Sequence, residues 1–322
     1  MTEHLTIMPS ITRKIWNADF VVDTNVINWA LDDREYLRRL IDLLKRMTAR
    51  PEYGKCWFAL TSLIELLQTA NPTRRTQLLE SLLFVCGHLK NRIQFFAPLQ
   101  TTLEWEWEDP PTTPTATADQ IEPAIRKAIA TGTLDGTKLE EFRIENLEWR
   151  KKQKFNHQAN VNEWRKTYQS NPEFRESVNN ALENFRSPAG FSSCDDIAAQ
   201  IIASLPQQPA DALTKALDNP SRYRSTWIFS LLVRLSQFAQ TIPENVKTRN
   251  FSEYGDTLNS HPNDIIDATI AAVSASCGIM ITEDECLRER LNLLHDRGLG
   301  RTQGFSMDFL ANNWYPPNGN RD

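Results

Sequence analysis

Short apolar runs rich in β-forming residues alternate with helical patterns at both ends of this chain, and this alternation is what most restricts its fold. The runs are "DFVVD", "CWFALTS" and "IQFFAP" near the N-terminus and "GIMITED" and "GFSMDFL" near the C-terminus. Between the first two, "REYLRRLIDLLKRM" places Leu37, Leu40 and Leu44 on one helix face. Strands joined through helices form parallel sheets. We therefore predict an α/β fold, an α/β/α sandwich with a central parallel sheet.

The middle of the chain has a different pattern. The segment Glu104–Gln120 is rich in Pro, Thr and Ala, which is typical of a loop or linker, and from about Asp119 to Thr241 the sequence is almost wholly helical. Each flanking part alone has few strands. We therefore predict one α/β domain in two parts, residues 1–103 and 250–322, interrupted by an all-helical insertion at 104–249.

Composition excludes several kinds of protein. The net charge of -5 over 322 residues argues against a protein that coats DNA, although local basic patches and metal ions still allow a nuclease. The five Cys are widely spaced without a C-x-x-C pair, so a zinc site or a disulfide framework is not expected. Reduced thiols, no apolar run of membrane-spanning length and no signal-peptide pattern predict a cytoplasmic protein without a membrane partner.

Acidic residues follow the predicted strands. Asp23 ends the first strand, Glu65 lies in the first turn of the helix after the second strand, and Asp284 ends "IMITED". Asp264 and Asp267 share one face at the start of a later helix. The carboxyl ends of parallel strands meet at one edge, where such groups repel each other unless protons or cations intervene. Oxygen ligands without His or Cys suit Mg²⁺ or Mn²⁺, and this predicts metal-assisted hydrolysis of a phosphodiester.

Four segments carry a family resemblance. "VVDTNVI", "LTSLIEL", "DIIDATIAA" and "GIMITED" resemble, in order, the acidic motifs of the PIN-domain nucleases, over residues 18–103 and 251–313. The resemblance implies metal-dependent cleavage of single-stranded RNA that leaves a 3′-hydroxyl and a 5′-phosphate. It also implies a set of metal ligands: Asp23, Glu65, Asp267 and Asp284, with Asp264 as an additional candidate. Asn25 and Thr282 would orient Asp23 and Asp284 without touching the metal.

Simpler interpretations stay open for each acid. Asp23, Asp264 and Asp284 are each placed to cap a helix N-terminus, and Glu65 can be a solvated helix residue. The same acids would also serve a nuclease that cuts DNA flaps or single strands. A third alternative is a PIN-like regulatory module that does not cut. The long insertion distinguishes this chain from small toxins of the family and suggests a toxin or defence effector controlled by a protein partner.

A basic stretch lies inside the predicted insertion. Arg150, Lys151, Lys152 and Lys154 lie between Trp149 and Phe155. Basic and aromatic side chains together bind the backbone and bases of single-stranded nucleic acid. The alternative is a solvated helix face, because Glu140, Glu141, Glu145 and Glu148 lie close by. We prefer the solvated face and keep RNA contact as the second interpretation.

Overall fold

The fold is built around one mixed sheet. A computed structural model describes residues 18–49, 54–89, 93–108, 115–131, 138–205, 210–260 and 263–314. The strands are β1 (Phe20–Val22), β2 (Cys56–Ala59), β3 (Ile93–Phe96), β4 (Thr115–Thr117), β5 (Ile279–Ile281) and β6 (Gln303–Phe305). They lie in the order β4-β3-β2-β1-β5-β6, and all neighbours are parallel except β4, which pairs antiparallel with β3. The predicted α/β class with a parallel sheet is confirmed.

Helices account for most of the described chain. Before the fourth strand they are α1 (Thr24–Asp32), α2 (Arg34–Met47), α3 (Leu60–Leu67), α4 (Pro72–Leu89) and α5 (Leu99–Glu106). The middle of the chain forms α6 (Ala118–Thr131), α7 (Lys138–Ser170), α8 (Pro172–Asn184), α9 (Asp195–Ala203), α10 (Ala212–Asp218), α11 (Arg224–Thr241) and α12 (Glu244–Asn250). The last three are α13 (Asp264–Val273), α14 (Glu285–Asp296) and α15 (Met307–Asn313). Among these described helices, none is both long enough and apolar enough to span a bilayer.

The central strands are buried on both faces, as their unbroken apolar sequences predict. Successive side chains of β1 point to opposite faces, so Phe20 and Val22 enter one core and Val21 enters the other. The core that contains Phe20 is closed by α1, α2, α4 and α15. The core that contains Val21 is closed by α13 and by the helices of the central block.

The central helical block, which we define as α7 to α12, shares its core with the sheet. Helix α11 packs along α13, and every residue from Ser225 to Ala239 is buried. Leu231, Leu235 and Phe238 of α11 belong to the same apolar cluster as Val21 of β1. The block and one face of the sheet therefore form a single core.

The N-terminal limit of the insertion differs from the prediction. Strand β4 and helix α6 lie inside the segment predicted to be all-helical, yet β4 extends the sheet and Ile125 of α6 joins the core with Phe20. The predicted linker Glu104–Gln120 contains the end of α5, all of β4 and the start of α6, and its residues 109–114 lie outside the described residues. The α/β part therefore continues to Thr131, and the central block begins with α7.

Candidate functional site

The candidate site lies at the carboxyl edge of the sheet between β1 and β5. Starting from β1, the chain first adds β2 and β3 on one side and later adds β5 and β6 on the other side. The crevice between β1 and β5 is therefore the point where the strand order reverses. Ligands of open α/β sheets bind in the crevice at such a point. Asp23 directly follows β1 and Thr282 directly follows β5, and the ladder continues as the Asp23 amide donates to Ile281 O at 3.0 Å.

Asp23 is a buried carboxylate, 3% exposed. Its Oδ1 accepts from the Thr24 amide at 2.7 Å and its Oδ2 accepts from the Thr282 hydroxyl at 2.9 Å. Burial raises the pKa of Asp23 well above its ordinary value, and the charges of Asp267 and Glu65 raise it further. Both of these bonding partners are uncharged, so the site favours a proton or a cation at this carboxylate.

Thr282 and Asn25 connect the ends of β1 and β5. The Thr282 hydroxyl donates to Asp23 and accepts from Asn25 Nδ2 and from the Asp284 amide, each at 3.1 Å. Asn25 Oδ1 in turn accepts from the Glu283 amide at 3.0 Å. This chain of bonds fixes the rotamer of Asp23 and the backbone at Asp284.

Asp284 lies at the carboxyl edge of the sheet and also caps a helix. Its Oδ1 accepts from the Leu287 amide at 2.8 Å, which makes it the N-cap of α14. The predicted alternative of a capping role is therefore observed. Its side chain is half-buried.

Glu65 reaches the site from α3. The helix begins at Leu60, so Glu65 lies in its second turn rather than in the first turn that the sequence predicts. Its Oε2 accepts from the Thr24 hydroxyl at 2.6 Å, which ties α3 to the start of α1. Burial raises the pKa of Glu65, while Arg150, Thr24 and Lys154 lower it.

Asp267 approaches from the opposite side on α13. That helix leads into β5 and runs against the strand direction, so its first turn lies at the carboxyl edge of the sheet. Asp267 is half-buried, and its charge acts on Asp23 and on Arg150. Asp23, Glu65 and Asp267 therefore belong to one electrostatic group.

Asp264 points away from this group, and this corrects its candidacy as a metal ligand. It is 4% exposed and forms a buried ion pair with Arg290 of α14, Nη1 to Oδ1, at 2.7 Å. Its Oδ2 also accepts from the Ser236 hydroxyl of α11 at 2.6 Å. Unlike Asp23, this carboxylate is neutralised by a buried guanidinium. We assign Asp264 a structural role.

The basic stretch of α7 divides into an inward and an outward part. Arg150 is 6% exposed and lies with Nη2 at 3.5 Å from Glu65 Oε1, so it is directed into the acidic group rather than towards solvent. Lys154 is exposed and donates to Asn263 Oδ1 at 3.2 Å, next to the start of α13. Lys151 and Lys152 are exposed. The outward lysines agree with both interpretations of this stretch.

The side chains at this edge fit a divalent cation in chemistry but do not form a closed shell. Among the described residues, no three His, Cys, Asp or Glu side chains lie in an arrangement that could hold a metal ion. The oxygen donors and the repulsion that Glu65 and Asp267 exert on Asp23 are nevertheless what a divalent cation requires and relieves. The residues that would hold it are Asp23, Glu65 and Asp267, with Asp284 at the rim.

Two contributors to this edge were not assigned by the sequence. Thr24 lies between Asp23 and Asn25, which the sequence does assign to the site. Its hydrogen bond to Glu65 forms only when α1 and α3 pack together. Arg150 sits in a charged helical stretch whose pattern does not reveal which basic side chain turns inward. For Arg150, the neighbouring Trp149 indicates that this part of α7 faces the core, because Trp149 packs on it.

Comparison of the chain with protein-family models, with curated proteins and with solved structures finds no significant match. The function is therefore inferred from the four sequence segments and the geometry of this edge.

Proposed function

We propose that the chain is a Mg²⁺- or Mn²⁺-dependent nuclease that hydrolyses phosphodiester bonds of single-stranded RNA. The observation that carries the proposal is Asp23, a buried carboxylate at the switch point of the sheet that is repelled by Glu65 and Asp267. Such an arrangement opposes folding unless a proton or a cation offsets the repulsion between the carboxylates. The order of the four PIN-like segments adds support.

The chain's own residues would prepare the site for its ligand. Thr282 and Asn25 hold Asp23 in one rotamer, and Thr24 does the same for Glu65. A bound divalent cation would supply Lewis acidity and an activated water for attack on phosphorus. The carboxylates would hold that cation, and the fixed rotamers would limit the reorganisation that binding requires.

The outer face of α7 would guide the nucleic acid strand. Lys151 and Lys152 are exposed next to Phe155, a large apolar side chain that is 74% exposed. Exposed lysines attract phosphates, and an exposed ring stacks on an unpaired base, which favours a single strand over a duplex. Lys154 links this face to the start of α13 beside the acidic group.

A regulatory module without nuclease activity is the second candidate. The observation that favours it is Arg150, because a guanidinium beside Glu65 can neutralise part of the acidic group without any metal. Mn²⁺ binding separates the two candidates, since a module of this kind has no need of the ion.

The test is cleavage by the full chain of single-stranded RNA, single-stranded DNA and their duplexes of matched sequence, with Mn²⁺ or with a chelator. We expect metal-dependent cleavage of the single-stranded RNA and a loss of at least about 100-fold in Asp23→Asn, because that change removes the central ligand. The matched control is Glu285→Gln, which removes an exposed carboxylate beside Asp284. We expect the control to keep wild-type activity.

Three outcomes would count against parts of the proposal. Cleavage of DNA in preference to RNA would transfer the assignment to a DNA nuclease. Activity in Asp23→Asn equal to that of the wild type would remove this edge from the mechanism. An intact, folded wild type that neither cuts nor binds Mn²⁺ would favour the regulatory module.

A further inference from the structure

One buried cationic side chain of the central block lies against the acidic edge. Arg150 of α7 is 6% exposed and lies with Nη2 at 3.5 Å from Glu65 Oε1. Its Nη1 donates to Gln68 Oε1 at 3.2 Å and its Nη2 donates to Thr61 O at 3.4 Å, both on the α3 side. Asp267 also acts on its charge. The guanidinium therefore sits between α3 and α13, against two of the proposed metal ligands.

The contacts of this guanidinium indicate that charge holds it in place. Its Nε is buried without a hydrogen-bond partner among the described residues, and its other bonds are long. Burying a guanidinium is unfavourable unless opposite charge compensates it. Glu65 and Asp267 supply that charge, so Arg150 fills a position where a cation is required.

Charge balance extends this argument to the number of metal ions. Asp23, Glu65, Asp267 and Asp284 carry four negative charges when all are ionised, which would balance two divalent ions, as in two-metal phosphodiesterases. Arg150 is one resident positive charge beside Glu65, whereas Lys154 is exposed and screened by water and is the same in every variant, so it is left out of the count. Three negative charges then remain, which two divalent ions would exceed, whereas without Arg150 all four remain and two ions balance them.

We infer that Arg150 is the resident cation of the Glu65–Asp267 side of the site and that it limits the site to one divalent metal ion, held on the Asp23 side. This inference rests on the proposed function for the metal, but the position of Arg150 does not depend on it. The central block thereby completes the site as well as covering one face of the sheet.

The test is the number of Mn²⁺ ions bound by the full chain, measured by isothermal titration calorimetry and checked by electron paramagnetic resonance of free Mn²⁺. We expect one ion for the wild type and two for Arg150→Met, which keeps an unbranched side chain but removes the charge. Arg150→Lys keeps a positive charge and should bind one. The matched control is Lys151→Met, which removes an exposed charge from the neighbouring position of the same helix and should also bind one.

Each outcome bears on a distinct claim. Two ions in the wild type, or one ion in a folded Arg150→Met, would overturn the inference. The wild-type result alone decides the first case, so the test holds even where the variant does not fold. No ion in the wild type together with one in Arg150→Met would overturn the one-metal limit and, with it, the metal-dependent nuclease. No ion in either protein would overturn both proposals.

Discussion

Two aspartates three residues apart have different surroundings. Asp264 lies under α11 and is paired with Arg290, whereas Asp267 lies at the sheet edge, where its charge opposes that of Asp23. Asp264 also belongs to a buried polar network in which Ser236 contacts His157 Nε2 at 3.2 Å. One aspartate therefore connects α13 to the central block, and the other contributes to the acidic group.

This difference predicts a large loss of stability on substitution of Asp264 and little change on substitution of Asp267. Asp264→Asn leaves the Arg290 guanidinium buried without its counter-charge, and removing one partner of a buried ion pair destabilises by about 3–5 kcal/mol. Asp267→Asn relieves repulsion with Asp23 but also removes part of the charge that compensates Arg150, so we expect its free energy of unfolding in metal-free buffer to stay within about 1 kcal/mol of wild type. Urea denaturation of both variants measures this. Equal losses in the two would contradict the separate roles.

At the residue scale, sequence predicted the acids at the sheet edge but not their countercharges. Asp23 and Thr282 follow short apolar strands directly, so their position results from strand direction alone. The pairing of Asp264 with Arg290 joins positions in two helices that meet only after folding, and spacing along the chain does not reveal it. The inward turn of Arg150 has the same cause, because it depends on the packing of α7 against α3.

At the scale of elements, Glu106 at the end of α5 holds the start of α11. Its carboxylate accepts from the amides of Ser225 and Thr226 at 2.6 and 3.0 Å and from the Thr226 hydroxyl at 2.8 Å. It thus satisfies amides at the start of α11. The adjacent Trp107 stacks on Tyr223 at 4.0 Å between ring centroids. The Trp-Glu-Trp segment therefore forms the joint between the α/β part and the central block.

This cap predicts a pH-dependent stability. Burial raises the pKa of Glu106 to about 7, although its hydrogen bonds act in the opposite direction. A carboxyl whose pKa is raised in the folded state stabilises the fold below its unfolded pKa, near 4.5, and loses that contribution as the pH rises through 7. We expect the wild type to lose about 3 kcal/mol over this range relative to Glu106→Gln.

Urea unfolding at intervals between pH 5 and pH 8 measures the effect. Glu104→Gln, on the same helix but only half-buried, is the control and should show the wild-type slope. Parallel pH profiles for wild type and Glu106→Gln would contradict the raised pKa.

Most helices follow from local sequence, and one region does not. The α2 pattern predicts its observed limits, because Asp33 caps it and Leu40 and Leu44 recur on its buried face. The prediction for the segment around β4 was wrong because Thr and Ala beside Pro have the composition of a loop. Its strand forms through pairing with β3, which is information that lies outside the segment.

At the scale of the whole molecule, the shared core predicts one unfolding transition. The core with Val21 runs without a break from the sheet into the central block, so neither part keeps its apolar surface covered without the other. Calorimetry of the full chain should give a single transition. Phe238→Ala in α11 and Leu82→Ala in α4 should both lower its midpoint, because each leaves a cavity that costs about 2–5 kcal/mol.

Two resolved transitions, each moved by only one of the substitutions, would contradict this expectation. They would indicate that the central block folds as an independent domain, as the sequence pattern of an insertion alone would suggest.

Helix α11 has a consequence for access to the acidic edge. Because Ser225 to Ala239 are all buried, swinging the central block aside would expose to water the apolar face of α11 that packs on α13 and α5. That free-energy penalty is too large for repeated opening of the block. The central block is therefore held against the sheet, and we expect access to the acidic edge without a hinge movement of α11.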